Sequence, residues 1–199
     1  MGKCIITVGR EFCTGGFWIA EKAAKELGIK MYDKELITMA AKDSGLSEEA
    51  IAASEKQHTH SLLYSLYTMG NDLPLGDQVF ILQSRIIKQL AEQESCLILG
   101  RCGDYVLREN PDVLRVFIHA PLEFRVEWAK KSPWFTDKSE KDIVAEINKT
   151  DKKRAAYYNY YTQNRWGEAH NYDLCLNAAL GEEACIKMIL DAAAAKSKP

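Results

Sequence analysis

The chain has 199 residues, 47% hydrophobic and 27% charged, with 26 basic against 28 acidic side chains and a formal net charge of -2. That length suits one domain, or one core with insertions, and the composition is far from the low-hydrophobicity, high-charge pattern of disordered chains. Near-neutrality argues against a protein that coats nucleic acid, because binders of the phosphate backbone are strongly basic.

Cys4-Ile5-Ile6-Thr7-Val8 is a β-branched run that predicts a buried strand. Gly9 to Gly16 predicts a glycine-bearing loop, and Ile19, Ala23 and Leu27 mark an amphipathic helix stopped by Gly28. The chain therefore opens strand, loop, helix, where helix N-terminal N–H groups gather anions. Ile29–Tyr32 is a second short strand, with Asp33 placed to cap a helix through Leu36, Ile37 and Ala40. Residues 47–93 read as almost wholly helical with a break near Gly70–Pro74; Val79, Leu82, Ile86 and Leu90 share a face. Cys96–Gly100, Leu114–Ile118 and Tyr172–Leu176 predict three further strands, and a last helix covers 182–194. Strands alternating with helices imply an α/β fold, a parallel sheet with helices on both faces. Helical insertions at 34–93 and 122–166 interrupt it, each starting near the carboxyl end of a strand, where ligands bind in such sheets.

The first loop has the position of a phosphate-binding loop but only part of its chemistry. In the GxxxxGK[ST] register, Arg10 stands at the first glycine, Gly15 at the second, Gly16 at the lysine and Phe17 at the Ser/Thr. Arg10, Glu11, Phe12, Cys13, Thr14, Gly15, Gly16 and Phe17 are the candidate phosphate-binding residues. Gly15 and Gly16 let backbone N–H groups approach an anion, Arg10 offers a charge and Thr14 a hydroxyl. An ordinary tight strand–helix turn is the alternative.

On a helix spanning 139–161, Ile147, Asp151, Arg154 and Tyr158 fall on one stripe. Asp151 can orient Arg154 toward a phosphate, or the two form a surface ion pair. Arg101 follows an apolar strand and a glycine, so it stands with Asp33 at the carboxyl ends of strands. Arg85 is a further candidate for an acceptor phosphate. Tyr157, Tyr158, Tyr160 and Tyr161 read as a packed helix face or a dimer contact rather than a base-stacking surface, and His58 and His60 as exposed helix residues. The six cysteines form no CxxC pair and, with these histidines, supply no zinc spacing. They read as reduced thiols of a cytoplasmic protein. The N-terminal apolar run is too short for a signal peptide, and no run approaches the 18 residues of a membrane span.

Taken together, Ile6-Thr7-Val8-Gly9-Arg10-Glu11-Phe12 with Gly15-Gly16, then Tyr32-Asp33-Lys34-Glu35-Leu36-Ile37, resemble the cytidylate-kinase-like family, a branch of the P-loop nucleoside monophosphate kinases. Leu99-Gly100-Arg101-Cys102-Gly103-Asp104-Tyr105, Phe117-Ile118-His119-Ala120-Pro121 with Arg125, Asp151 and Arg154 with Tyr157-Tyr158, and Tyr172-Asp173-Leu174 follow in the same order. The resemblance implies a three-layer P-loop kinase fold with a five-stranded parallel sheet, its first strand central. It implies one domain over 1–199: a core (1–33, 94–121, 167–195), an acceptor-binding helical insertion (34–93) and a lid (122–166). It implies transfer of the ATP γ-phosphate, with magnesium, to a nucleoside monophosphate such as CMP or dCMP, or to another small acceptor. Arg10, Arg125, Asp151 and Arg154 would be catalytic, and Asp33, Arg85, Arg101 and Asp104 would hold the acceptor. Magnesium would be held through the phosphates, with Thr14 as the one candidate protein contact. Three features depart from the pattern: no lysine in the loop, Cys102 in place of an Asp after Gly-Arg, and no recognisable cytosine-reading pattern in 34–93. A nucleotide-binding or regulatory protein that keeps the fold with weak catalysis is therefore the rival reading. No nucleic-acid or membrane partner is expected, and a homodimer is left open. Residues 125–165 carry ten Lys/Arg against six Asp/Glu, so the basic excess falls in the expected lid.

Overall fold

The computed structural model describes residues 3–45, 47–54 and 73–196. Five strands form one all-parallel sheet: β1 (Ile5–Arg10), β2 (Lys30–Tyr32), β3 (Cys96–Leu99), β4 (Val113–His119) and β5 (Leu174–Asn177), in the order β2-β3-β1-β4-β5. β1 is central, with Ile6 beside Leu97 on one side and Leu114 on the other. Among the described residues the helices are α1 (Gly16–Glu26), α2 (Glu35–Ser44), α3 (Glu48–Ser54), α4 (Leu75–Gln93), the single turn α5 (Gly103–Val106), α6 (Leu122–Lys130), α7 (Glu140–Thr162) and α8 (Glu182–Lys196). The predicted break near Gly70 and the histidines His58 and His60 lie outside the described residues.

Because side chains alternate along a strand, each buried strand feeds two cores. Ile6, Val8, Leu97, Leu99, Val116 and Ile118 face α1 and α8, where Ile19, Ala20, Ala23, Cys185 and Ile189 meet them. Ile5, Cys96, Ile98 and Val113 face the other layer, against Leu36, Ala40, Ile51, Val79, Ile86, Ile87 and Leu90. The sheet is thus covered on both faces, which explains why its strands read as continuous apolar runs. A third cluster joins Cys13 of the first loop to Val126 and Ala129 of α6, Phe135, and Ile143 and Ile147 of α7. It fastens the 122–166 segment directly onto the loop. The Ser139 side chain caps α7, accepting from the Asp142 N–H at 3.2 Å.

Asp33 does not cap α2. Lys34 holds the N-cap position without a side-chain bond, and the Asp33 carboxylate turns instead to Arg101. All six cysteines are unbridged; Cys13, Cys96, Cys102 and Cys185 are buried, whereas Cys175 is exposed. No helix among the described residues is long and apolar enough to cross a membrane.

Candidate phosphate and acceptor site

The loop from β1 to α1 turns on two left-handed residues, Cys13 (φ 60) and Gly15 (φ 75). Gly15 is the N-cap of α1 and supplies no side-chain cap. Thr14 is buried and committed within the loop: its hydroxyl donates to the Glu11 carbonyl at 3.0 Å and accepts from the Gly16 N–H at 3.2 Å. The first-turn N–H groups of α1 therefore face a cleft of about 130 Å³ lined by Arg10 to Trp18, Trp128 and Arg154. The first-turn N–H groups beyond Gly16 and the positive end of the helix dipole make such a cleft an anion site.

A second cavity, of about 370 Å³, opens beyond the carboxyl ends of β1 and β3. Its floor is Gly9, Arg10, Gly100, Arg101 and Asp33, and its wall is Thr150, Lys153, Arg154, Tyr157 and Tyr158 of α7, with Trp166 and Tyr172. Arg10 and Arg154 line both spaces and stand at their junction. Arg154 donates to the Arg10 carbonyl at 2.9 Å and lies 5.4 Å from the Phe12 ring centroid. Burial, and then the neighbouring Arg154 charge, push the Arg10 guanidinium down to about 9, with Asp33 opposing and Arg101 adding to the shift. Arg154 is likewise lowered by burial, with Asp151 opposing. Two desolvated cations facing one space make a field that favours an anion between them.

Arg101 reaches this floor through an unusual backbone. Gly100, Arg101 and Cys102 are all left-handed, at φ 77, 50 and 54. Two such non-glycine residues cost about 1–2 kcal/mol each, a strain typical of functional segments. The turn sets the Arg101 guanidinium 2.9 Å from Asp33, with both side chains mostly buried. A Cβ at Gly100 would sit 2.5 Å from Arg10 Nη1, so any side chain here meets a left-handed backbone at φ 77 and displaces the tip of Arg10.

Asp151 and Arg125 take different places from those expected. Asp151 does not hold Arg154. One of its oxygens accepts the Phe12 N–H at 2.8 Å and the other pairs with Arg125. Arg125 is buried; it also pairs with Glu11 at 3.2 Å and donates to the Phe12 carbonyl at 2.8 Å. Glu11 in turn accepts the Ala120 N–H at 3.1 Å. These four residues set the shape of the loop from behind. With its donors engaged in this way, Arg125 positions the loop rather than facing either cavity.

Asp104 lies on the wall of the larger cavity, where its carboxylate accepts the Tyr158 hydroxyl at 2.6 Å. Burial raises its pKa above the ordinary carboxylate range, against the hydrogen bonds that lower it. Tyr161 of α7 donates to Asp77 at 3.0 Å and stacks on Phe80 of α4, ring centroids 4.1 Å apart. Arg85 departs from its expected place. It opens with Lys88, Tyr105 and Arg108 into a separate cavity behind α5, because α4 buries Val79, Gln83, Ile86 and Leu90 and turns Arg85 outward. Trp128 and Lys153 were not anticipated; Lys153 shares a face of α7 with Thr150 and Tyr157, whereas Trp128 had no local signal.

A magnesium ion would be held through the phosphates rather than by side chains of the loop. Phe17 replaces the usual hydroxyl, the Thr14 hydroxyl bonds within the loop, and no group of three His, Cys, Asp or Glu side chains converges among the described residues.

Strand order, central β1 and the loop feeding α1 define the P-loop kinase architecture. It is shared with shikimate kinase from Bacteroides thetaiotaomicron (13% identity, TM-score 0.54, 94% of this chain and 96% of that one). It is shared also with a gluconokinase from Sinorhizobium meliloti (13%, TM-score 0.52, 98% and 94%). An uncharacterized protein from Eubacterium ventriosum is similar at 27% identity and TM-score 0.68, over 94% of this chain and 98% of that one. No curated protein matches the sequence. The chain belongs to the cytidylate kinase-like family, which its residues 5–179 match.

Proposed function

We propose that the protein is a nucleotide-dependent phosphotransferase that moves the ATP γ-phosphate to a nucleoside monophosphate of the CMP or dCMP kind, or to another small acceptor. One observation carries this reading: the loop cleft and the larger cavity meet at Arg10 and Arg154. A triphosphate on the α1 N-terminus and an acceptor in the larger cavity would face each other across those two cations. In the reaction an acceptor oxygen bonds to the γ-phosphorus as the bond to the β-phosphate oxygen breaks, and ADP leaves. The protein's part is positioning and neutralisation of charge on the transferring group. Arg101 with Asp33 would fix the acceptor's anionic end. Tyr157, Trp166 and Tyr172 offer flat faces to a ring. The 122–166 segment, carrying Arg154 and Lys153, would act as the lid and 34–93 as the acceptor-binding insertion.

The rival reading, a nucleotide-binding protein of weak catalysis, draws on Gly16 at the lysine position. Steady-state phosphotransfer from ATP with magnesium, across CMP, dCMP, UMP and small hydroxyl or phosphate acceptors, separates the two. Turnover with any of these acceptors supports the kinase. No turnover, while ATP still raises the melting temperature, supports the binding protein.

A further inference from the structure

We infer that Trp128 is a nucleotide-binding residue whose indole N–H donates a hydrogen bond to the triphosphate on the β1–α1 loop. The inference deepens the reading above and rests on it. Trp128 is on α6, one helical turn after Arg125, which Glu11, Phe12 and Asp151 fix in place. Its ring packs on the apolar cluster of Cys13, Ile143 and Ile147. That packing leaves one edge toward the loop, and the atom presented there is Nε1: a Cβ on Gly15 would lie 3.0 Å from it. The indole lines the same cleft as Thr14, Gly15, Gly16 and Phe17, together with Arg154.

An indole N–H is a donor only, and the part-buried indole of Trp128 presents this one to the cleft. Among the described residues Trp128 Nε1 has no acceptor, although the side chains around it are well bonded. On the loop, the Glu11 and Phe12 carbonyls already accept from Thr14 and Arg125, and the Gly15 carbonyl from the Ile19 N–H. An oxyanion in the cleft would meet this N–H beside the first-turn N–H groups of α1. The chemistry also fits the departure at Gly16: without the lysine, the loop needs side-chain donors from elsewhere, and α6 brings one from more than one hundred residues away. Being neutral, this donor adds direction without charge, whereas Arg10 and Arg154 supply the charge.

The experiment compares ATP and inorganic tripolyphosphate binding, by calorimetry without acceptor, to the wild type, Trp128→Phe and Trp134→Phe. Phenylalanine keeps a packed ring and removes only the donor, and the 85% exposed Trp134 serves as the control. The expected result is about tenfold weaker binding of both ligands by Trp128→Phe, matching the loss of one hydrogen bond, with Trp134→Phe unchanged. Binding within twofold of wild type, or a loss confined to ATP, overturns the inference; the second outcome would move Trp128 to the base. If the wild type binds neither ligand, the kinase reading fails along with it. Should Trp128→Phe not fold, the wild type labelled at the indole nitrogens answers instead, with the other three tryptophan signals assigned by Trp18→Phe, Trp134→Phe and Trp166→Phe. The Trp128 N–H signal must then shift when tripolyphosphate is added; a signal that stays put overturns the inference.

Discussion

Asp151 holds the Arg125 guanidinium and the Phe12 backbone N–H at the same time, and so ties α7 to the first loop across 139 residues of sequence. Both side chains are largely withdrawn from water, at 16% and 8% exposed. A charge pair in that setting is costly to break one-sidedly, because the partner stays buried. Asp151→Asn keeps the bond to Phe12 and removes the charge. We expect it to lower stability by about 3 kcal/mol, read as a shift in urea midpoint at constant slope. A loss below about 1 kcal/mol would show that Glu11 alone compensates Arg125.

Arg154 has a different kind of position. Among the described residues it donates to a backbone carbonyl alone, and it faces both cavities. Arg154→Ala should therefore leave the urea midpoint nearly unchanged while lowering phosphotransfer turnover by at least tenfold, the smallest effect expected for a donor that acts on a transferring phosphate. Turnover within twofold of wild type would leave Arg154 as a packing residue.

Gly100→Ala tests Arg10 without touching it. The added Cβ competes for the place of Arg10 Nη1 and also meets a left-handed backbone at φ 77. The backbone cost is about 1 kcal/mol, so the variant should fold, with Arg10 pushed from the junction of the cavities. Tripolyphosphate affinity should fall to that of Arg10→Met. Wild-type affinity in Gly100→Ala would show that the guanidinium finds an equivalent place.

Asp104 gives a pH dependence of definite sign. Its folded pKa is raised by burial, so between the unfolded value of about 3.9 and the folded one the native state binds more protons. Stability from this group is present at low pH and lost as pH rises through the folded pKa. The groups facing it are Tyr158, whose hydroxyl it accepts, Arg115, which opposes the shift, and the raised thiol and phenol of Cys102 and Tyr172. Asp104→Asn imitates the neutral acid. Its urea midpoint should gain on the wild type more at pH 7.5 than at pH 4.5; an equal difference at both would place the ionised form in the fold without penalty.

The sheet was legible because buried parallel strands are apolar on both faces: the runs at Cys4–Val8, Cys96–Gly100 and Leu114–Ile118 fall within a residue or two of β1, β3 and β4. The α7 stripe was legible for the same kind of reason, since Ile147 and Tyr158 repeat at helical spacing and are buried. The role of Arg125 was not, because its partners Glu11 and Phe12 lie over a hundred residues away and an arginine in a short helix carries no mark of burial. Asp33 fitted a cap by position, and only the left-handed turn at Arg101 redirects it. The placement of Arg85 was in fact readable: the α4 stripe of Val79, Ile86 and Leu90 leaves position 85 on the outer side. Trp128 was invisible, since only the fold puts its nitrogen over Gly15.

The bonding of Glu11, Phe12, Arg125 and Asp151 has a thermodynamic consequence for whatever occupies the loop. A mobile glycine loop must lose its freedom at the moment of binding, and that entropy is subtracted from affinity. Here the loop is held by a largely buried ion cluster formed entirely by the chain's own side chains. The ordering is charged to folding, so the ligand's hydrogen bonds count toward affinity nearly in full. A loop without the customary lysine thereby recovers, through rigidity, part of the grip that it lacks in charge.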